Sequence, residues 1–501
     1  MPPCLVAIDF GTGAVRSVVF DFAGRELGSA YQEIAYSSVP NVPGATEFDG
    51  AAMWATIGKV VRRSIRDADA KSSDVAAVST TSQRHGIAIV GKSGETLYAA
   101  PNRDPRGRTE MAPKADAFAY GINGRWPSPI MAPYRIKWFA KHQPQLLDNA
   151  AHLLCLNDWV AYQLSGNAAL ADSGAAETLL VDIRIGGWSK ELVSHFKVQQ
   201  SLLPPIVPGG YRIGGVTQAA AKVTGLRKGT PVIAGGGDSQ CALVACRAVS
   251  PGDIAIVAGT TIPVMGVTGE PLLNEASHCW TGLHVPPKQW VLESNGGNAG
   301  ILFRWYRDQF GRPTSPKGDA YGDLVKAAAR IPPGSGGMKA IMGQAVMDQT
   351  KPYTMTKAFL FAPDSPAPFE TAITKAHLTR ALLESIAYVI RGNERQVRES
   401  TPKAGQATAM CGGLARSNTI LSIVANVLNR PISRPETSEP AALGAAICAA
   451  VGIGLCKDFS EAVERMTDIR VAAIPEKNAA AQYDALYARW RTLADRLATW
   501  G

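Results

Sequence analysis

An α/β protein made of two like halves is predicted by three observations. Short apolar, strand-like runs alternate with helical segments along the whole 501-residue chain. A strand running into a Gly-Thr turn occurs twice, at Asp9-Phe10-Gly11-Thr12 and at Val257-Ala258-Gly259-Thr260, and Gly11 and Gly259 stand 248 positions apart. No low-complexity tract or long linker divides the sequence. A unit repeated at half the chain length suggests a duplicated domain with a ligand between the copies. The boundary is expected near Ala248, giving residues 1–248 and 249–501.

At the join stands Thr230 to Thr261. Val232-Ile233-Ala234 reads as a buried strand that ends in Gly235-Gly236-Gly237 and meets Asp238. A strand tip without Cβ atoms lets another group approach closely. The first charged group after that gap is a carboxylate. A small-residue helix, Ser239 to Ala248, leads to a strand at Asp253 to Val257 and then to Gly259-Thr260-Thr261. The N–H groups and hydroxyls of that turn suit a phosphate. A lone carboxylate beside an anion cradle is what phosphoryl transfer to a hydroxyl needs. A Gly-rich turn with a capping Asp is the other reading of the same residues.

Hydrophobic residues make up 46% of the chain and charged residues 19%, the balance of a soluble globular protein with sizeable cores. The net charge of +9 is mild, and the basic clusters at Arg62-Arg63 with Arg66 and at Arg103 to Arg108 lack interleaved aromatics, so no nucleic-acid partner is expected. The eight cysteines form no CxxC pair and no Cys/His ligand spacing, which excludes a zinc site and suits a reducing, cytoplasmic compartment. No signal peptide is expected at the N-terminus. The most apolar stretch, Pro440 to Cys456, is short and rich in Ala and Gly, so it reads as a buried helix and not as a membrane span.

In chain order, Cys4 to Ile8, Arg16 to Phe20 and Glu26 to Ala30 are expected as an antiparallel meander. Its first turn, Gly11-Thr12-Gly13, can point N–H groups at a phosphate, with Asp9 beside it to hold a hydrated Mg²⁺. A plain hairpin turn is the alternative. Asp49 is expected to cap a helix from Ala51 to Asp67 that buries Met53, Trp54, Ile57, Val60, Val61 and Ile65. Strand Val75 to Val78 runs into hydrogen-bonding side chains from Ser79 to His85, at the kind of strand end where open α/β sheets bind ligands. Strands at Ile87 to Val90 and Leu97 to Ala100 precede Asn102, Asp104 and Arg106. Residues 111–150 read as irregular around a helix at Tyr134 to Lys141, and Leu156 starts a helix capped by Asn157 or Asp158.

The second half is expected to carry strands at His278 to His284, Gln289 to Glu293, Lys339 to Met342 and Ala407 to Met410. Helices are expected at Ile301 to Gln309, His377 to Arg391, Thr419 to Asn429 and Asn478 to Trp500, with a loop at Pro363 to Phe369. Gly412-Gly413 before a helix capped by Ser417 or Asn418 suits close approach of a nucleotide.

Asp9 to Thr12, Gly235 to Asp238, Gly259 to Thr261 and Gly412 to Ser417 occur in this order, and together they resemble the FGGY family of carbohydrate kinases over nearly the whole chain. The resemblance implies two ribonuclease-H-like domains of the actin/hexokinase type, with ATP in the cleft between them and a sugar or polyol hydroxyl as acceptor. Gln83, Arg84, His85, Asn102, Asp104 and Arg106 resemble the family's sugar-facing elements, and Asp158 matches an Asp-Trp that lies near the substrate. Amide and carboxylate oxygens that accept from hydroxyls, and Arg that donates, suit a polyol. His85 also reads as a satisfied structural histidine, and Asp158 as a helix cap. Arg135 stands where the family's first pattern has Lys, and His377 to Glu384 fits half of its second pattern.

The expected function is an ATP-dependent sugar kinase with Asp238 as general base and Asp9 on Mg²⁺. Gly11, Thr12 and Gly13 with Gly259, Thr260 and Thr261 would cradle the phosphates. Gly412, Gly413 and Ser417 would flank the nucleoside. His85-Gly86 follows the style of xylulokinases, whereas Pro101 to Gly107 and Phe303 to Gly311 lean toward autoinducer-2 kinases. A pentulose such as xylulose is the first expectation and the linear, diketone-derived autoinducer-2 substrate the second. A filament- or chaperone-type ATPase of the same bilobal fold, or a sugar-binding regulator, is the remaining alternative. No membrane partner is expected, and the resemblance implies a homodimer.

Overall fold

A computed structural model describes residues 2–111, 116–273, 279–311, 319–342, 345–348, 357–361 and 373–498. The strand Cys4–Phe10 (β1) is buried at every position, as a strand covered on both faces must be. Ala14–Asp21 (β2) and Glu26–Glu33 (β3) complete an antiparallel meander with it. Val75–Ser82 (β4), Arg212–Gly215 (β5) and Pro231–Gly237 (β6) extend the sheet on the other side of β1, in the order β5-β6-β4-β1-β2-β3. β4 and β6 run parallel to β1.

The second sheet repeats the plan. Ile254–Val257 (β7), Pro263–Thr268 (β8), Trp280–Leu283 (β9), Trp290–Asn295 (β10), Thr408–Cys411 (β11), Ile432–Pro435 (β12) and Ile469–Ala473 (β13) lie in the order β9-β10-β8-β7-β11-β12-β13. An antiparallel meander again flanks the first strand on one side, and parallel strands flank it on the other. This is the ribonuclease-H-like sheet occurring twice, with β1 and β7 in equivalent places and a Gly-Thr turn leaving each.

Helices cover the sheets. Gly50–Asp67 (α1) starts where the Asp49 carboxylate accepts from the Ala52 N–H at 2.6 Å. Leu156–Ser165 (α2), Asp238–Ala245 (α3), Lys375–Ser400 (α4), Asn418–Leu428 (α5) and Pro440–Gly452 (α6) follow. α3 and α6 touch backbone to backbone, because a Cβ on Gly444 would stand 2.0 Å from the Cys241 carbonyl. Ala445, Ile447 and Ala449 of α6 pack with Leu5, Ala7 and Val18 of the first sheet, although α6 comes from the second half. Ala242, Leu243 and Cys246 pack with Ala255, Met265 and Val267 of the second sheet. A division near Ala248 therefore separates the strands of the two sheets but not the helices that cover them.

Several expectations need correction. The helix expected at Tyr134 to Lys141 is present as Ala132–His142, and two further helices, Ala117–Asn123 and Pro144–Asp148, lie in the stretch read as irregular. α4 begins two residues before the expected His377, at a capping box between Thr374 and His377, and runs nine residues past Arg391. Cys155, not Asn157 or Asp158, is the N-cap of α2, so the capping reading of Asp158 falls. His278 and the loop expected at Pro363 to Phe369 lie outside the described residues. No helix among the described residues is long and apolar enough to cross a membrane.

Candidate active site

Asp238 is the first residue of α3, directly after the glycine end of β6. Its carboxylate accepts from the Ser239 N–H at 2.7 Å and hydroxyl at 3.2 Å, and part of its surface stays open. Burial pushes its pKa up, against the pull of Arg84 and the Ser239 hydrogen bonds. The three glycines before it make room for groups of this chain. A Cβ on Gly235 would stand 2.1 Å from the Thr80 carbonyl, one on Gly236 would stand 2.4 Å from Ser173 Oγ, and one on Gly237 would stand 3.1 Å from the Cγ of Arg84. The groups that approach this strand tip closely thus include groups of the chain itself.

Asp9 is the next-to-last residue of the buried strand β1 and is itself 7% exposed. Burial and the charge of Asp238 raise its carboxyl to about 7, while Arg16, 4.0 Å away, pulls the other way. Its Oδ1 has no hydrogen-bond partner among the described residues. A buried carboxylate with a vacant oxygen beside an anion-type turn fits one inner ligand of a hydrated Mg²⁺. In the turn that follows, the Gly11 N–H bonds to the Ala14 carbonyl at 3.0 Å. Gln83 holds this turn in place. Its amide donates to the Gly11 carbonyl at 3.3 Å and to the Tyr36 hydroxyl at 3.2 Å, and its oxygen accepts from the Asn102 N–H at 3.0 Å.

The second turn is built by close packing. A Cβ on Gly300, in the helix Ala299–Phe310, would fall 1.8 Å from the Gly259 carbonyl, and the Ile301 N–H donates to the Thr260 carbonyl at 3.2 Å. Gly412 has a φ of +90°, and a Cβ there would stand 2.6 Å from the Ala258 carbonyl, so the ends of β7 and β11 lie against one another. Gly13, Gly259 and Gly413 all have open space where a Cβ would be. Thr260 is exposed and Thr12 and Thr261 are half-buried. The Ser417 hydroxyl caps α5 by accepting from the Ile420 N–H at 3.4 Å.

Beside Asp238 lies a buried charge cluster drawn from both sheets. Glu293 of β10 takes the Arg84 guanidinium in a two-pronged grip of 2.5 and 2.8 Å. Glu177 accepts from Arg125 at 2.7 Å and from the Gln240 amide at 2.9 Å, and lies 3.5 Å from Arg84. Against burial, Arg84 and Arg125 hold the Glu293 carboxyl at about 2, and the same two arginines keep Glu177 below its usual range. His85 sits 3.4 Å from Glu177 through Nε2 and 3.3 Å from the Glu177 carbonyl through Nδ1. Burial drops its pKa to about 4 despite Glu177, so it is neutral at pH 7. Its backbone is left-handed, φ +63°, and is held there by Arg135, which donates to the His85 carbonyl.

Asp104, Arg106 and Asp158 lie behind this wall. Arg106 Nε is 2.6 Å from Asp104, its guanidinium lies over Tyr98 at 4.6 Å, and Tyr98 donates to Asp104 at 2.5 Å. Both are enclosed, so they brace the loop that carries Asn102 and do not line open space. Asp158 is 1% exposed and accepts from Asn157 at 2.7 Å and from the Ala171 N–H at 3.0 Å. Burial pushes its carboxyl well up.

Sequence comparison decides the family. A model of the N-terminal domain of the FGGY family of carbohydrate kinases matches residues 4–245, and one of the C-terminal domain matches residues 254–453. The chain belongs to the FGGY family of carbohydrate kinases. An autoinducer-2 kinase of Klebsiella pneumoniae is 31% identical over 98% of this chain and 94% of its own length. In fold the chain is similar to a ligand-bound xylulose kinase of Lactobacillus acidophilus, with a TM-score of 0.84, 20% identity and coverage of 99% and 98% of the two chains. It is equally similar to a gluconate kinase of the same organism, with a TM-score of 0.85, 20% identity and coverage of 99% of both chains.

This carbohydrate kinase is thus an ATP-dependent sugar phosphotransferase. Sequence reasoning passed over Arg16, Arg125, Glu177, Gln240, Glu293 and Gly300. A signal was present for two of them. Glu177 is the lone charge in a run of small and apolar residues, and Glu293 interrupts the apolar strand Trp290-Val291-Leu292. A charge in such a place is buried only with a partner.

Proposed function

We propose that this kinase phosphorylates a five-carbon ketose such as xylulose, using Asp238 as general base. The observation that carries the reading is the pairing of Asp238, partly open at the start of α3, with the buried Asp9, whose free oxygen and raised pKa mark a place for a cation. A carboxyl raised toward neutrality is a better proton acceptor at pH 7 than an ordinary one. Asp238 takes the proton of the sugar hydroxyl as that oxygen bonds to the γ-phosphorus and the bond to the β-phosphate oxygen breaks. Asp9 would hold Mg²⁺, which neutralises phosphate charge when bound. Gly11 to Gly13 and Gly259 to Thr261 would hold the phosphates from opposite sheets, with Gly412, Gly413 and Ser417 beside the nucleoside. Gln83, Arg84, His85 and Asn102 would form the sugar side of the cleft, with Asp104, Arg106 and Asp158 supporting it from behind.

His85-Gly86 favours the ketose. A second reading, phosphorylation of the linear autoinducer-2 precursor, is favoured by full-length relatives carrying that name at 30–31% identity. The test is sugar-dependent ADP release with Mg²⁺-ATP over D-xylulose, L-xylulose, both ribuloses, glycerol, erythritol, gluconate and the autoinducer-2 precursor. Turnover with xylulose or ribulose far above the sugar-free rate supports the first reading. Turnover with the autoinducer-2 precursor alone replaces it with the second. No sugar-dependent turnover with any member refutes both.

A further inference from the structure

The Arg84 side chain has three carboxylates within reach of its field, and it grips only one of them fully. Its stem lies on Gly237, the residue before the proposed base, with Cγ and Cδ 3.1 and 3.5 Å from where a Cβ would be. Its guanidinium is turned to Glu293, with a looser contact to Glu177 at 3.5 Å. The charge of Arg84 acts on Asp238, yet no ion pair within 4.0 Å joins the two among the described residues. The Asp238 carboxylate is left with only the Ser239 hydrogen bonds.

Glu293 is well suited to hold this arrangement. It is fully buried on β10 and so cannot swing away into water. The Asn295 amide donates to its Oε1 at 3.1 Å, and Arg125 Nη1 stands 4.0 Å from its Oε2. Arg125 is in turn committed to Glu177 at 2.7 Å and lies over the Trp280 ring at 4.8 Å. A planar guanidinium matches a carboxylate in two parallel hydrogen bonds, which fixes direction as well as distance. The grip crosses from the first sheet to the second. The charged and titratable groups facing Arg84 are Glu293, Glu177, Asp238, His85 and Arg125. Those facing Asp238 are Arg84, Glu177 and Asp9.

We propose that Glu293 is a positioning residue of the phosphoryl transfer: by gripping Arg84 from the second sheet, it keeps that guanidinium off Asp238 and leaves the carboxylate free to accept the sugar proton. This rests on Asp238 being the base. Without the Glu293 charge, the carboxylates left to Arg84 are Glu177, 3.5 Å away and already taken by Arg125 and Gln240 through Oε1, and Asp238, which among the described residues only Ser239 engages. An Arg–Asp pair formed there would occupy the oxygens that must face the hydroxyl. The residue acts through Arg84 and touches no reacting atom.

The test compares Glu293→Gln, Glu293→Asp and the double variant Glu293→Gln/Arg84→Met, each checked for folding by circular dichroism. Gln keeps the shape and loses the charge; Asp keeps the charge and gives up about one methylene of reach. The expected result is a kcat at least 10-fold lower in Glu293→Gln, with KM for ATP within 2-fold and a smaller loss in Glu293→Asp. Removing Arg84 as well should raise kcat at saturating sugar above that of Glu293→Gln, while KM for sugar rises because Arg84 also faces the sugar. A packing role would reverse the order of Gln and Asp, and the double variant would then be no better than the single one; either result overturns the proposal. A crystal structure of Glu293→Gln decides the matter without turnover. Arg84 within hydrogen-bond distance of Asp238 supports the proposal, and Arg84 in its original place refutes it. If Glu293→Gln does not fold, Arg84→Lys, which cannot make the two-pronged contact, takes its place with the same kcat and crystallographic criteria. A wild-type enzyme inactive on every sugar would refute the reaction assigned above, while the crystallographic result would still decide the positions of Arg84 and Glu293.

Discussion

Replacing Asp9 by Asn should make the ligand-free protein more stable above neutral pH, and the size of the effect follows from where the carboxyl sits. Its pKa in the folded chain is about 7 because of burial and the nearby Asp238. An unfolded Asp titrates near ~3.9, so the shift is about three units, or about 4 kcal/mol at about 1.4 kcal/mol per unit. The folded value is the higher one. The stabilising effect of protonated Asp9 is therefore complete below about pH 4 and is lost as pH rises through about 7. Between pH 5 and pH 8 the wild type should lose about 3 kcal/mol relative to Asp9→Asn, read from urea unfolding of both at each pH. A cation on the ionised carboxylate should drive the proton off. Calorimetry of Mg²⁺-ADP binding in two buffers of different ionisation enthalpy should then show release of about 0.5 proton at pH 7 and about 0.1 at pH 8, with that part absent in Asp9→Asn. A stability difference that does not change with pH, or equal proton release in the two proteins, would refute the reasoning.

Asp238→Asn should lower kcat by ~10² to 10⁴-fold while nucleotide binding, measured by calorimetry, is retained; a variant with near-normal turnover would remove Asp238 as the base. Gly300→Ala should raise KM for ATP by about 10-fold or more while sugar binding measured without nucleotide is kept, since its Cβ would fall 1.8 Å from the Gly259 carbonyl and push the second turn out of place. Asp104→Ala should cost about 3–5 kcal/mol in urea unfolding, because it leaves the buried Arg106 without its 2.6 Å partner. The KM for sugar should change less than stability does, and the reverse would restore Asp104 to the sugar pocket.

Much of the architecture was legible in the residues because it rests on local rules. β1 is apolar at every position but Asp9 and so had to be a covered central strand. Asp49 stands where a helix N-terminus needs an acceptor, and α1 begins beside it. The paired Gly-Thr turns marked the duplication, and both leave the first strand of a sheet. The helices Ala117–Asn123 and Pro144–Asp148 were missed because short segments carry little periodicity of their own and are stabilised by the surface they pack on.

Which polar groups face the cleft was decided only by tertiary structure. Asn102, Asp104 and Arg106 form one short polar run, yet Asp104 and Arg106 turn to each other and to Tyr98 while Asn102 is tied through its backbone to Gln83. The glycines of β6 read as a place of close approach, and only the fold shows that the approaching groups are Thr80, Ser173 and Arg84 of the chain itself. Glu177 and Glu293 lie more than a hundred positions apart in sequence and meet the same arginine. By itself the sequence determined the opening meander, the turns and the two candidate carboxylates, because backbone hydrogen bonding and apolar burial act between near neighbours. The partners of the buried charges were settled by the docking of one sheet against the other. A charge deprived of water takes whichever opposite charge the fold brings within reach, however distant in the chain.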